Sequence, residues 1–379
     1  MIKSFKVRLY PTKEQEQLMW KHIGARRYVW NYMLAYQMEL YKAGEKHLSG
    51  FAMNNLLIPL KNDGEHDWLY DVSHATLQRT CRDLDIAYQR FFKKISKYPK
   101  FKTKKKSRNS FPICESRFYF KDEQLVKIQK FGFVKYKTDF NLPFGSKIKF
   151  SNPRIFNANG KWMLGFGMEC ENQVFQLTDK TMGIDLGIKD LAIAEFDGEK
   201  ILFRNINKTK RMRSLYSQLK HTQRSISRKY EQNRNGLVYV KTKNIMRLEE
   251  KARRIHTRIA NIREDYIHQS THSLVSKLPY RVVMETINVS GMRKCKYLSR
   301  AVSEQCFRKF IDTMRYKCEW RGIEFVQADR FFPSSKLCSG CGLVKSNLKL
   351  GDRIYRCECC GLVIDRDYNA AINLSKYVA

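Results

Sequence analysis

The chain has 379 residues, of which 43% are hydrophobic, and its Lys+Arg 72 against Asp+Glu 37 give a formal net charge of +35. Length and apolar content exclude a disordered tail and supply core for roughly two to four compact units. Charge on this scale argues for a polyanionic partner, nucleic acid first, and no run of about 18 apolar residues offers a membrane span instead.

The opening MIKSFKVRLYPTKEQEQLMW lacks the apolar segment of a secretory signal, which predicts a cytoplasmic protein. Within it, FKVRLY reads as a strand, and after Pro11 a Thr12 to Gln15 capping box opens a helix that stops near Gly44. A second helical block, VSHATLQRTCRDLDIAYQRFFKKISK, repeats Leu77, Cys81, Leu84, Tyr88, Phe91 and Phe92 at helical spacing, a core stripe. Its polar face carries Gln78 and Arg82, suited to a nucleic-acid groove because a glutamine amide matches adenine N6 and N7. Then YPKFKTKKKSRNSF breaks the helical pattern. Lys102, Lys104, Lys105, Lys106 and Arg108 are candidates for phosphate contact, in a run that is ordinarily solvated and mobile, with neighbouring aromatics able to stack on bases. From Phe118 to Glu171 short alternating segments predict a small antiparallel sheet or barrel.

The second half alternates strands and helices, the pattern of an α/β domain. In TMGIDLGIKDLAIAEF one carboxylate, Asp185, interrupts an apolar strand, and alternation sets Ile184 and Asp185 on opposite faces. Asp190 is expected in a loop and Asp197–Gly198 in a turn. KILFRN is a strand, followed by a basic helical tract from Lys208 to Leu278 with a break near Asn233 to Gly236. YRVVMETINVSGM is a buried-type strand with Glu285 at its end, SEQCFRKFIDTMRYKCEWRG reads as one helix stopped by Gly322, and IEFVQAD as a further strand. DRDYNAAINLSKY sets Asp365 and Asp367 ahead of a final helix. A carboxylate in an apolar run is costly to bury alone. If Asp185, Glu285 and an aspartate of the last motif converge, their repulsion calls for divalent cations, and paired Mg²⁺ held by carboxylates is the chemistry of phosphodiester cleavage.

The 11 cysteines are an odd number, five of them between Cys338 and Cys360, which fits reduced thiols and a metal site better than disulfides. Cys338, Cys341, Cys357 and Cys360 form C-x2-C, fifteen residues, C-x2-C, the spacing of a zinc ribbon holding one structural Zn²⁺, with Gly342 and Gly361 closing each pair and Cys359 a spare. Four thiolates leave no open position for catalysis. Cys81, Cys114, Cys170, Cys295, Cys306 and Cys318 read as scattered small hydrophobes.

YPTKEQ, MGIDLGIKDLA, METINVSGM, FPSSKLCSGCG and DRDYNAAINL, in this order over nearly the whole chain, resemble the TnpB family of transposon-encoded RNA-guided DNA nucleases, relatives of compact type V CRISPR effectors. The resemblance implies a multidomain α/β plus β fold. A RuvC-like RNase H domain (179–333 and 361–379) carries an inserted zinc ribbon (334–360), and an N-terminal wedge-type β-barrel domain (1–11 and 112–178) carries an inserted helical recognition lobe (12–111). It places the catalytic, Mg²⁺-binding triad on Asp185, Glu285 and Asp367, with Asp365 the alternative for the third member. It also implies a monomeric protein with one guide RNA from the transposon end, which cuts double-stranded target DNA beside a short motif in a bacterial or archaeal cytoplasm, on the nucleoid when engaged. A nuclease-dead RNA-guided repressor and a DNA transposase are the competing readings. Some relatives carry a long basic tail beyond the last motif, whereas the sequence here reads to Ala379, so any function of such a tail is expected to be absent or relocated.

Overall fold

The computed structural model describes residues 1–171, 173–349 and 351–378 and divides into two compact units, residues 1–171 and 172–379. Asn172, Leu350 and Ala379, assigned above to the β-domain, the ribbon and the nuclease domain, lie outside the described residues.

In the first unit, seven strands form one antiparallel sheet in the order Ser110–Pro112, Phe150–Ala158, Lys161–Glu169, Ile2–Tyr10, Gly132–Lys137, Leu125–Ile128, Phe118–Phe120. The N-terminal strand is therefore central, paired with Lys161–Glu169 on one side and Gly132–Lys137 on the other. Its alternation buries Val7 and Leu9 against Trp162, Leu164 and Phe166. The expected capping box is present: Gln15 N–H donates to Thr12 Oγ1, and the Gln15 side chain accepts from Thr12 N–H. The same Gln15 amide donates to the carbonyls of Phe131 and Phe133, tying the helix start to the sheet.

That helix, Lys13–Lys42, serves two cores. Met19 and Ile23 pack into the sheet, while Ala25, Val29, Met33 and Leu34 join Met53, Leu57, Leu77, Cys81 and Leu84 of the helical layer. Two short helices, Gly50–Asn55 and Leu57–Lys61, lie in the stretch the sequence left unassigned. The predicted stripe of the second helical block holds from Leu77 to Tyr88, but the helix is His74–Phe92 and Phe92 is 59% exposed. Its last turn runs past the core it was expected to join.

His22 is buried between the two layers. Its Nδ1–H donates to Leu18 O, its Nε2 accepts from Ser73 N–H at the start of His74–Phe92, and Phe111 and Phe131 flank the ring. Burial above all, and Lys130 to a lesser degree, draws its pKa from 6.5 to about 4, although the Leu18 carbonyl pulls the other way. The unfolded chain takes up a proton near 6.5 and the folded one does not until about 4, so stability falls as pH drops through that window. Urea titrations of wild type at pH 7 and pH 4.5 are expected to differ by up to roughly 3 kcal/mol more than those of His22→Leu.

The second unit is built on a five-stranded sheet ordered Glu199–Arg204, Asp190–Phe196, Thr181–Leu186, Arg281–Met284, Glu324–Gln327. The first three strands pair antiparallel and the last three parallel. Asp190 opens a strand, contrary to its expected loop placement, because Leu191, Ala192 and Ala194 are drawn into the core beside it. Asp197 and Gly198 form the tight turn that follows, with φ of 52° and 79°. Helices Lys243–Val275 and Phe307–Glu319 cover one face through Ile267, Leu274, Phe307 and Phe310 on Met182, Ile184 and Met284. Helix Arg366–Ser375 covers the other, where Leu374 packs on Val283. Helix Lys210–Gln232 packs on Lys243–Val275 through a separate apolar seam that includes Met212, Leu215, Ile255 and Ile259.

The single helix expected from Ser303 to Gly322 is divided at Cys306, whose backbone is left-handed (φ 55°, ψ 38°), into Ser299–Gln305 and Phe307–Glu319. At the break, the buried Gln305 donates its amide to the carbonyls of Gly187 and Ile188 and so fixes the loop after the Asp185 strand. Of the scattered cysteines, Cys81 and Cys318 are buried as expected, whereas Cys295 is exposed. Among the described residues no helix is long and apolar enough to cross a membrane.

Candidate active site and metal centre

Two parallel strands and one helix bring the acidic motifs together. Thr181–Leu186 pairs with Arg281–Met284 in register, Gly183 beside Val283 and Ile184 beside Met284, so the next residue pair in that register is Asp185 and Glu285. Ile184 and Met284 enter the core, and alternation turns both carboxylates to the opposite face. Helix Arg366–Ser375 lies on that face, and Asp185 is only 7% exposed while Glu285 is half-buried.

Gly183 permits this covering. A Cβ on it would stand 2.0 Å from the Ala371 carbonyl oxygen and 2.3 Å from the Ser375 nitrogen, both backbone atoms of the helix. The helix thus rests directly on strand backbone, with Asp367 in its first turn.

Burial first, and then the charges of Glu285 and Asp367, hold Asp185 well above the usual carboxylate range; Arg366 acts in the opposite sense. Glu285 is raised as well, chiefly by burial, while its hydrogen bond with Asp185 works against the rise. The two titrate as an interacting pair. Asp367 accepts from Arg366 Nε at 3.0 Å and Nη2 at 2.8 Å, and Arg353 Nη1 lies 3.7 Å away. Asp365 has other work: its side chain accepts from Tyr368 N–H as the cap of the helix, and Lys200 Nζ is 3.7 Å from it. Of the two aspartates in the motif, Asp367 is the one that acts on Asp185. The three carboxylates do not close to mutual ligand distance, Asp367 being turned onto Arg366. As a donor set of hard oxygens whose mutual repulsion a cation would relieve, they suit Mg²⁺.

The cysteines are drawn tighter. The sulfurs of Cys338, Cys341, Cys357 and Cys360 all lie within 4.8 Å of one another, the only such cluster among the described residues. Cys338 Sγ to Cys360 Sγ is 3.6 Å and Cys341 Sγ to Cys357 Sγ is 3.5 Å. Tetrahedral thiolate coordination at about 2.3 Å separates neighbouring sulfurs by about 3.8 Å, so the set fits zinc with little adjustment. Gly342 and Gly361 close the two turns with φ of 77° and 72°, and Cys359 stands outside the cluster, exposed. Backbone N–H groups from Cys360 and Cys359 draw Cys357 down to about 6. Cys360, in spite of the Leu362 N–H, is pushed up to about 12 by the sulfurs around it.

The ribbon and the Asp367 helix are joined by two buried amides that the sequence reading did not single out. Asn369 accepts from Ser339 N–H and donates to Leu337 O; Asn373 donates to Ser334 O and Leu337 O. Their signal was present as two asparagines four residues apart in the otherwise apolar run 369–374. Asn373→Ala takes the amide donor from the buried Ser334 carbonyl, Leu337 O keeping Asn369, and is expected to cost about 1–3 kcal/mol in a urea titration. Removing with a thiol-competing chelator any metal held by the four thiolates is expected to release the ribbon and leave unfolding of residues 1–171 unchanged, read by proteolysis of the two units.

The nucleic-acid candidates all fall in the first unit. Lys104, Lys105, Lys106 and Arg108 are exposed. Lys102 is not: its Nζ stands 3.1 Å over the Trp30 ring, and Asn31 holds both its backbone N–H and its carbonyl. The basic run is therefore fastened at its root, where a mobile segment was expected. Gln78 and Arg82 share a 330 Å³ cavity with Arg79, Asn152 and Arg154.

Residues 168–296 match the family model described as "Probable transposase", residues 307–374 the "Cas12f1-like, TNB domain", and residues 1–46 a "Helix-turn-helix domain". Over that last span the chain forms one strand and one 30-residue helix. A Streptomyces pristinaespiralis protein named as an RNA-guided DNA endonuclease is 33% identical over 98% of this chain and 88% of its own length. InsQ of Escherichia coli K12, named in the same way, is 28% identical over 98% and 91%. A solved Cas12f1-sgRNA-target DNA complex superposes with a TM-score of 0.61 at 13% identity, over 99% of this chain and 98% of that one, which is a likeness of fold.

Proposed function

The chain belongs to the TnpB-like family of RNA-guided DNA endonucleases, and on that premise we propose that it cuts guide-matched double-stranded DNA at a centre formed by Asp185, Glu285 and Asp367. The observation that carries this reading is the register that sets Glu285 beside Asp185, under a helix delivering Asp367. The sheet order, with antiparallel and parallel halves meeting at the Asp185 strand, supports a RuvC-like RNase H domain in the second unit. The wedge-type β-domain is read as 1–11 and 112–178, its part up to 171 lying in the first unit together with the helical recognition lobe, 12–111.

Asp185, Glu285 and Asp367 would hold two Mg²⁺ ions, which when bound activate water and stabilise the leaving oxygen. The chain's own contribution is positional. The paired strands fix two carboxylates side by side, the covering helix keeps bulk water from Asp185, and Arg366 compensates Asp367. Cys338, Cys341, Cys357 and Cys360 would hold one structural Zn²⁺, which fastens the ribbon to the Asp367 helix through Asn369 and Asn373. The guide RNA would come from the transposon end, one per protein monomer, with sequence choice delegated to base pairing and a short flanking motif read by the protein.

The test is to purify the protein with RNA expressed from its own locus and incubate it with a DNA library of randomised flanks and Mg²⁺. Guide-dependent cuts that vanish in Asp185→Ala support the nuclease. DNA bound and left uncut would make the protein a repressor, and guide-independent strand joining would make it a transposase.

A further inference from the structure

Within the first unit lies a 610 Å³ cavity, sharing only Arg154 with the one bordered by Gln78 and Arg82, and lined by Arg26, Arg27, Lys102, Lys106, Arg108 and Arg154 among others. No carboxylate lines it. Asp83, the ion-pair partner of two of the lining arginines, is already shared by Arg26 at 3.2 Å, Arg154 at 2.8 Å and Arg79 at 3.7 Å. Arg27 has no ion pair or hydrogen bond among the described residues, and its Nη1 and the Arg26 Nε are buried without a partner. Orphaned guanidinium nitrogens beside gathered like charges are unfavourable unless an anion completes them.

The cavity is also built in advance. Arg26 Nη1 is fixed by the Ser110 carbonyl, Asn31 clasps the backbone of Lys102, and the Trp30 indole donates to Lys100 O, so helix and basic segment are fastened face to face. Lys102 is drawn down to about 7 by burial and then by the Arg26 and Arg154 charges, against the pull of Asp83.

We propose that this cavity is a fixed site for one phosphate of a nucleic-acid backbone, with Arg27 and Arg108 as its principal ligands and Lys102, Lys106 and Arg154 supplying the field around it. The planar guanidinium fork suits two phosphate oxygens at once, which isolated surface lysines do not. That the phosphate belongs to a nucleic acid rests on the function proposed above; the anion site itself does not.

The first arm uses the full-length protein and inorganic phosphate against chloride at equal ionic strength, read as melting temperature. Phosphate is expected to stabilise wild type and the exposed control Lys161→Gln, less so Arg27→Gln, and not at all the Arg27→Gln/Arg108→Gln double variant. In chloride alone Arg27→Gln is expected to melt higher than wild type, whereas a purely structural Arg27 would make it melt lower. The second arm measures guide RNA and target DNA binding separately over a salt series. For one of the two strands, Arg27→Gln should weaken binding about tenfold and reduce the log–log salt slope by about 0.7–0.9, the loss of one phosphate contact. A single neutral methylphosphonate in that strand should weaken wild type equally and the variant no further.

Equal phosphate stabilisation of all four proteins overturns the anion site. Arg27-dependent phosphate stabilisation with unchanged binding of both strands overturns its assignment to nucleic acid. Neither result depends on cleavage, so failure of guided cutting would leave both arms standing.

Discussion

Replacing Asp185 by asparagine is expected to abolish guided DNA cleavage, by about 10³-fold or more, the scale felt when one member of a catalytic unit is lost, and at the same time to stabilise the Mg²⁺-free protein. The two effects share one cause. Asp185 is buried beside Glu285 and Asp367, which raise its proton affinity above that of an exposed aspartate. A carboxyl whose pKa is higher folded than unfolded keeps a proton that the unfolded chain releases, so its contribution to stability declines as pH rises above 3.8. Asparagine keeps the shape and removes the charge. The expected gain near pH 7.5 is about 1–2 kcal/mol, the size of a favourable single replacement, and it should shrink as pH is lowered, because wild-type Asp185 is then protonated as well. Added Mg²⁺ should stabilise wild type more than Asp185→Asn. Thermal melts of both proteins at two pH values, with and without Mg²⁺, check this, and an asparagine variant less stable than wild type in every condition would contradict the reading of the site as a repulsive pair awaiting cations.

Gly183→Ala is expected to be the most damaging single-methyl change in the second unit. The added carbon would meet the Ala371 oxygen at 2.0 Å and the Ser375 nitrogen at 2.3 Å, and neither backbone atom can turn away as a side chain would. The helix must lift, carrying Asp367 away from Asp185 and loosening the contact of Leu374 with Val283. Overpacking of this kind costs about 3 kcal/mol, and a displacement of about 1 Å at a reacting centre lowers rates about 10²-fold. Gly198→Ala, at an open turn with nothing within 4 Å of the added carbon, is the comparison: its positive φ strains the turn but leaves the helix seated. Cleavage rates and urea titrations of the two variants should separate the loss of a turn from the loss of the docked helix. Equal cleavage by Gly183→Ala and wild type would mean that the Asp367 helix is not held where the active centre requires it.

Local chemistry fixed much of this chain from its residues alone. The Thr12 and Gln15 box opens a helix because both halves of the bond pair lie within one turn. Asp197–Gly198 turns because those residue types accept positive φ, and C-x2-C places two sulfurs on one knuckle whatever surrounds it. These are interactions of short range in sequence, so pattern suffices. Strand identity was likewise legible where apolar alternation was continuous, as around Ile184 and Met284.

What the sequence did not decide depends on partners distant along the chain. Which of Asp365 and Asp367 joins Asp185 turns on which one the helix cap consumes, and a carboxylate can serve either use until the helix is placed. Lys102 reads like its neighbours in a basic run, and only the Trp30 ring and the Asn31 clasp, some seventy residues earlier, take it out of water. Phe92 continues a stripe that helical geometry makes plausible, but the core ends at Tyr88, and nothing local marks where a neighbouring layer stops. Residue types and spacing thus determined which groups carry charge, cap helices and form a set that suits a metal. Close packing decided which of them meet, because burial and mutual repulsion act through space and are felt only once the sheet and its covering helix are assembled.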